Sequence, residues 1–550
     1  MKENDQLSTA QPHLRHMYLR YLRNGLIVLL LVFLPLVAGL SIILHNLTNN
    51  PNANRNPATS LSANHSNGIS ATSAPDGKQF IGISDGSYAF DTNRPDGNTK
   101  QQASTALKSG DVDNAKRLWN QAVSGDTNDA ESLIYLEDQR VLASHQPYIT
   151  IVVGITIVGP DEGVGQGVGQ SDLQGAYVAQ KEYNDGLKLP HGILVRLLIA
   201  SSGDTATDAM TVAKQIVQAA KADNTIVGVM GWPISDSALQ AIPVLVKAHI
   251  PTVSESASDD KLTGVSPYFF RVVPPNSVLA TSAAKYAQEQ LHGKTVAVFV
   301  DHTNTYSNGL AAGFVKAFAN GSNTYFEEKY TVKNPIELNR DIQDLGKHTP
   351  VPNLIFFSGY AQNACTLLAD LPTFGQFATL PVLGGEALYE QGGYQATCRN
   401  AGFRLHFLAY TYFDEWSTFG LEAQQPAFFA DYGNYFDPNK SHLNPYGYTR
   451  ADNDPILSYD AMQALLQGSS IALGNKQKFT PDDLQKALTQ INGAQSIQGV
   501  SGQISFGTDG NPIQKALLTL SVGTDSQINM DRQNPVDGIF LKPPEQTGGS

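Results

Sequence analysis

Cysteine is almost absent from this chain: Cys365 and Cys398 are the only two, and neither stands in a Cys-x-x-Cys pair or beside histidines at zinc-ligand spacing. A zinc-ribbon or multi-disulfide scaffold is thereby excluded, and one disulfide is the most the pair can make. If they pair, the closed loop of about thirty residues is worth roughly 3 to 4 kcal/mol in the chain-entropy account. Two separate buried thiols is the other reading. His13 and His16 form the one histidine pair at ligand spacing and lie in the N-terminal tail, so neither a metal nor a cofactor is expected. Positive charge is also scarce, with 37 Lys and Arg against 50 Asp and Glu and a formal net charge of -13. Such a surface repels the phosphate backbone that supplies most nucleic-acid affinity, so DNA and RNA are excluded as partners.

Enzyme signatures are missing as well. Gly82-Ile83-Ser84-Asp85-Gly86 matches the G-x-S-x-G elbow in letters but has no strong helix after it. The run Gly163-Val-Gly-Gln-Gly-Val-Gly169 follows a strand pattern yet fits neither G-x-G-x-x-G nor a Walker loop, and it reads as a turn lining a crevice. No nucleophile, base and orienting group stand out together, so catalysis is not expected.

What is present begins with an uncharged run, Gly25 to Leu44. Twenty helical residues span about 30 Å, the hydrocarbon thickness of a bilayer. Lys2, Arg15, Arg20 and Arg23 precede it and only Arg55 follows over the next stretch, which puts residues 1–24 in the cytoplasm and the body outside. No cysteine follows the span as a lipoprotein would need, so residues 25–47 are read as an uncleaved, single-pass anchor. Residues 48–98 read as a flexible linker, rich at first in Asn, Ser, Thr, Ala and Pro.

Residues 99–145 turn helical, with Ala106, Leu107, Gly110, Ala115, Leu118, Trp119 and Ala122 at a spacing that resembles one tetratricopeptide unit plus a third helix. A single unit cannot bury its own faces, so it should pack on the main body or on a partner. After Pro147, apolar runs such as YITIVVGITIVG, ILVRLLIA, TIVGVMG, KTVAVFV, NLIFFSG and LPVLGG alternate with amphipathic stretches. Thr207 to Lys221 shows the helical member: Ala209, Val212, Ala213, Ile216, Val217 and Ala220 share one face. Alternation of this kind predicts an α/β fold with two doubly wound parallel sheets, and 41% hydrophobic residues over 550 positions suffice for two cores. Ligands of such sheets bind where strand ends face a crevice.

Ordered landmarks run through this region: Gly175-Ala-Tyr-Val-Ala-Gln-Lys-Glu-Tyr-Asn184, Gly231-Trp-Pro-Ile-Ser235, Ile250-Pro-Thr-Val-Ser-Glu-Ser-Ala-Ser258, and Phe270-Arg271. Tyr306-Ser-Asn-Gly309, Ser358-Gly359-Tyr360, Gly384-Gly385-Glu386, Tyr459-Asp-Ala461, Gly499-Val-Ser-Gly-Gln-Ile-Ser-Phe506 and Asp509-Gly510 follow. In this order they resemble the branched-chain amino-acid binding proteins, the type I periplasmic binding proteins of ABC transporters. The resemblance implies a two-lobed domain over 147–545, with lobe 1 near 147–275 and 410–500 and lobe 2 near 276–409 and 501–545. It implies an amino-acid ligand in the interlobe cleft and an ABC permease as membrane partner. Ser235, Ala257 and Ser258 would match the groups that hold the ligand carboxylate, and Tyr360 and Glu386 the contacts of the other lobe, with Glu386 on the ammonium. Ser258 stands where the family commonly has threonine, which keeps the hydroxyl. Trp232 and Tyr306 fall where side-chain contacts are expected.

The physical logic agrees with the resemblance: a carboxylate taken from water needs several donors, and a buried ammonium needs a fixed anion. A rival reading is a cell-envelope regulator, because a helical-repeat region on this fold also resembles activators of penicillin-binding proteins. A transmembrane sensor is a third, weakened by how little chain precedes the anchor.

Overall fold

The structure is a computed structural model that describes residues 68–73, 80–157, 167–203, 205–319, 322–331, 334–372, 375–389, 404–437, 451–525, 527–533 and 536–543. The expected cytoplasmic tail and membrane anchor lie outside these residues. None of the described helices is long and apolar enough to cross a membrane.

The chain enters through β1 (Ala71–Ser73) and β2 (Phe80–Ser84), then three helices, α1 (Gly97–Lys108), α2 (Val112–Gly125) and α3 (Ala130–Ser144). Alternation follows: β3 (Tyr148–Ile155), α4 (Val168–Asp185), β4 (Leu194–Ser201), α5 (Ala206–Ala222), β5 (Ile226–Gly231), α6 (Ser235–Lys247), β6 (Thr252–Ser254) and β7 (Phe269–Arg271). A second series comprises α7 (Asn276–Glu289), β8 (Thr295–Asp301), α8 (Thr305–Phe318), β9 (Thr324–Tyr330), α9 (Pro335–Asp344), β10 (Leu354–Ser358), α10 (Ala361–Asp370), β11 (Val382–Gly384) and β12 (Leu405–Ala409). The remainder is α11 (Glu415–Thr418), α12 (Phe428–Phe436), α13 (Asn453–Leu473), α14 (Pro481–Leu488), the hairpin β13 (Ile497–Gly499) and β14 (Gly502–Ile504), then β15 (Leu517–Val522), β16 (Ile528–Met530) and β17 (Val536–Asp537).

Two large sheets result. The first has the order β1-β2-β4-β3-β5-β6-β7, the second β16-β15-β12-β11-β10-β8-β9. Within each, five strands run parallel in the same doubly wound order: β4-β3-β5-β6-β7 and β9-β8-β10-β11-β12. β3 and β4 are buried from end to end apart from Tyr148, as mostly apolar strands covered on both faces must be. The chain passes between the lobes three times, after β7, after β12 and between β14 and β15. At the last two passages Asp460 of α13 accepts from the amides of Val500 (2.7 Å) and Ser501 (2.9 Å), while Lys515 Nζ donates to Ser501 O at 2.7 Å. The Trp416 indole donates to Val500 O at 2.9 Å.

Three expectations are corrected or settled. The linker does not extend to residue 98: β2 pairs antiparallel with β4, Gly82 opposite Ser201, and buries Ile81 and Ile83. The signal is weak because the strand is five residues long at a sheet edge. The G-x-S-x-G letters are part of this strand and its turn, where Ser84 Oγ donates to Tyr88 O (2.6 Å) and accepts from Gly86 N (3.0 Å), a structural use of the hydroxyl. Cys365 is disulfide-bonded, which removes the reading of two free thiols; Cys398, the other cysteine, lies outside the described residues.

The helices α1 to α3 do not stand apart as a repeat. Asp138 of α3 accepts from Gln180 Nε2 of α4 (2.8 Å) and from Leu197 N of β4 (3.0 Å), and Asn184 donates to Glu137 at 2.8 Å. Lobe 1 thus covers the face that a stacked repeat would cover. In the segment's interior Lys100 is buried among Asp129 (3.2 Å), Glu131 (3.4 Å), Asp91 and Asp96 (both 3.8 Å).

Candidate functional site

Doubly wound sheets present their strand ends at one edge, and this edge is where the predicted residues gather. Ser235 opens α6 just beyond β5, and Ala257 and Ser258 follow β6. In lobe 2, Tyr306 lies in the first turn of α8 beyond β8, Tyr360 follows β10, and Glu386 follows β11. Six residues from two sheets are therefore placed by equivalent turns.

On lobe 1, Ser235 Oγ accepts from Asp259 N at 3.3 Å, which leaves its own proton to donate, at the positive end of α6. Ser258 is buried, and its hydroxyl has no hydrogen-bond partner other than the neighbouring Tyr410 hydroxyl. The loop bearing it is held from behind by Arg271, whose Nη1 donates to Ala257 O (3.0 Å) and Asp259 O (2.9 Å) and whose Nε donates to Asn511 Oδ1 (2.8 Å). Burial draws the Arg271 guanidinium down to about 10. Arg271 is spent on carbonyls and positions the loop.

On lobe 2, the Tyr306 hydroxyl donates to Glu386 Oε2 at 2.9 Å, and its ring lies 5.7 Å from that of Tyr360. Asn304 Nδ2 donates to the Tyr360 hydroxyl at 3.2 Å. Glu386 is 8% exposed, and burial pushes its carboxyl up to about 7, with the Tyr306 hydrogen bond pulling the other way. Burial raises both tyrosine hydroxyls, and Tyr360 also senses Asp236 of α6 across the cleft. Asn276 joins the halves: its amide donates to Ser258 O (2.8 Å) and its Nδ2 to Tyr306 O (3.4 Å).

Trp232 does not belong to this group. Its indole is fully buried in the lobe 1 core with Val152, Leu198 and Ala238, packs over Gly154, and donates to Ser202 Oγ at 2.9 Å. Gly231 makes that placement possible: its φ is +129°, and a Cβ there would lie 2.0 Å from Gly154 O. Asn276, Asn304, Arg271 as a support and Tyr410 beside Glu386 were not foreseen as site residues. Arg271 was visible only as a landmark, and Tyr410 sits in LHFLAYTYF, where aromatics read as core.

Chemically the arrangement offers hydroxyl donors and a helix N-terminus on one lobe and the buried Glu386 carboxyl on the other. Among the described residues no cluster of metal-ligating side chains accompanies it.

The periplasmic binding protein family matches residues 152–525. No curated protein is similar enough in sequence to match the chain. Among solved structures, the branched-chain amino-acid transporter substrate-binding protein LivJ of Streptococcus pneumoniae, in complex with isoleucine, is similar at 18% identity. That similarity covers 70% of this chain and 99% of that one, with a TM-score of 0.57. An ABC transporter substrate-binding protein from Sphaerobacter thermophilus gives 20% identity, 72% and 99% coverage and a TM-score of 0.57. A solute-binding protein of R. palustris in complex with benzoate gives 15%, 72% and 98%, and 0.55. At such identities these structures speak for the fold, and the family match covers most of the chain. The chain belongs to the periplasmic binding protein family, whose members bind solutes and are not enzymes.

Proposed function

We propose that this chain is the substrate-binding component of an ABC uptake system and holds an amino acid, branched-chain or related, between its lobes. The observation that carries the reading is the opposition of chemistry across the cleft: the Ser235 and Ser258 hydroxyls with the α6 N-terminus on lobe 1, and the buried Glu386 carboxyl on lobe 2. The first group suits a carboxylate and the second an ammonium. Ala257 contributes backbone beside the carboxylate, and Tyr306 and Tyr360 wall the other side.

Closure follows from the three interlobe passages. Ligand docks on lobe 1, and contacts from lobe 2 then stabilise the closed form. Because a ligand shifts this equilibrium only by its differential affinity, Glu386 and Tyr360 govern closing. Family membership implies an extracytoplasmic folded part. The uncharged run Gly25 to Leu44 supports a single-pass anchor beneath it and an ABC permease as its membrane partner.

Calorimetry of the full-length chain against the twenty amino acids tests the reading, with Glu386→Ala as control. Saturable binding that the variant loses, at unchanged circular dichroism, is expected. Equal affinity in the variant would sink the assignment of the ammonium site.

A further inference from the structure

Two buried hydroxyls in the cleft, Ser258 Oγ, already placed in the site, and Tyr410 OH, have no hydrogen-bond partner but each other. Tyr410 is 1% exposed and sits directly beyond β12, on the segment that leaves lobe 2 for lobe 1. Strand register fixes its neighbourhood. β11 and β12 run parallel with Gly384 opposite Phe407, so Glu386 and Tyr410 follow the ends of two adjacent strands. The Tyr410 hydroxyl faces Ser258, Glu386 and Arg271, and the Tyr306 hydroxyl senses it in turn.

The pair can share one hydrogen bond, which leaves one buried hydroxyl proton without an acceptor, and an unpaired buried donor costs stability. The cation behind them, Arg271, is fully engaged with carbonyls, Thr263 and Asn511. The surroundings therefore favour an acceptor of negative charge at this spot. On the reading that the cleft binds an amino acid, we propose that Tyr410 is a ligand-binding residue that donates, together with Ser258, to the ligand carboxylate. Because Tyr410 lies on an interlobe passage, the contact would also tie carboxylate recognition to the position of the hinge.

Tyr410→Phe keeps the ring and removes only the oxygen. Titration of full-length native and variant chains with L-leucine, L-isoleucine and L-leucinamide, together with thermal melts without ligand, tests the role. We expect leucine affinity to fall about tenfold or more, the loss of a hydrogen bond to a charged group. Preference for leucine over leucinamide should fall by the same factor, since the amide lacks the carboxylate, while the ligand-free melting temperature stays level or rises. Unchanged leucine affinity in the variant overturns the role of Tyr410 and leaves the cleft reading standing. A lowered melting temperature with the leucine-to-leucinamide ratio intact makes Tyr410 structural and also overturns it. A native chain that binds none of the twenty amino acids overturns the cleft reading, and this role with it.

Discussion

The Tyr306 hydroxyl donates to Glu386 Oε2 at 2.9 Å, and this bond eases the ionisation of a carboxyl that burial resists. Burial raises Glu386 to about 7, and the hydrogen bond opposes the rise because it favours the charged form. Tyr306→Phe is therefore expected to raise the Glu386 value further. If ligand binding needs ionised Glu386, the midpoint of the affinity-against-pH curve near neutrality should move upward in the variant. Calorimetry at pH 6, 7 and 8 reads the shift; curves that superimpose would detach Tyr306 from the charge of Glu386.

Glu386 also fixes a sign for stability. Its folded value of about 7 lies above its ordinary 4.5, so between these limits the folded chain keeps a proton that the unfolded chain releases. The group thus lowers stability as pH rises through that window, and the cost is complete above it. Glu386→Gln is expected to gain up to about 3 kcal/mol at pH 8 and almost nothing at pH 4. Urea unfolding of both proteins at the two pH values measures this, and a gain independent of pH would contradict it.

Lys100 lies within 3.8 Å of Asp91, Asp96, Asp129 and Glu131, and Arg94 pairs with Asp91 at 2.6 Å. Burial raises Asp96 to about 8 even with Lys100 opposing. Lys100→Met strands buried carboxylates, so a loss of about 3 to 5 kcal/mol is expected near pH 8. The loss should shrink at pH 5, where Asp96, raised by burial to about 8, carries a proton; melts at both values test it.

A Cβ on Gly175 would lie 2.1 Å from both Pro455 O and Ser458 Oγ, where α4 and α13 touch. Gly175→Ala must push these helices apart, at a cost of about 3 kcal/mol. Chemical denaturation gives the number, and a variant as stable as the native chain would show that the two helices separate freely.

Trp232→Phe separates packing from recognition. The indole is buried and bonded to Ser202, so the variant should lose about 1 to 3 kcal/mol of stability. Ligand affinity measured well below the melting temperature should stay within about twofold, a change under 0.5 kcal/mol.

How far the sequence reveals this molecule depends on burial pattern. YITIVVGI and LVRLLIAS announce themselves because strands covered on both faces are mostly apolar, with only Thr150, Arg196 and Ser201 as buried polar side chains. β2 escapes notice because Phe80 is 41% exposed and only Ile81 and Ile83 carry the alternation. Ser235, Ser258, Tyr306, Tyr360 and Glu386 are proposed as a set through the resemblance to the branched-chain amino-acid binding proteins, and the structure places each beyond a strand end. Trp232 follows a strand too, yet the backbone at Gly231 turns it inward, and nothing in the neighbouring letters reports a φ of +129°. Asn276 is equally silent, because joining Ser258 to Tyr306 is a property of three distant segments and not of any one of them.

The antiparallel pairing of β2 with β4 has a mechanical meaning. Every described residue before Tyr148 is stitched into lobe 1, through β1, β2 and the Asp138 contacts, whereas lobe 2 is joined to lobe 1 by the three passages and by the contact of α8 with α6. Whatever holds β1 therefore holds lobe 1. On the proposed closure lobe 1 is the stationary jaw, and a distance probe anchored on α10 of lobe 2 would report most of the stroke.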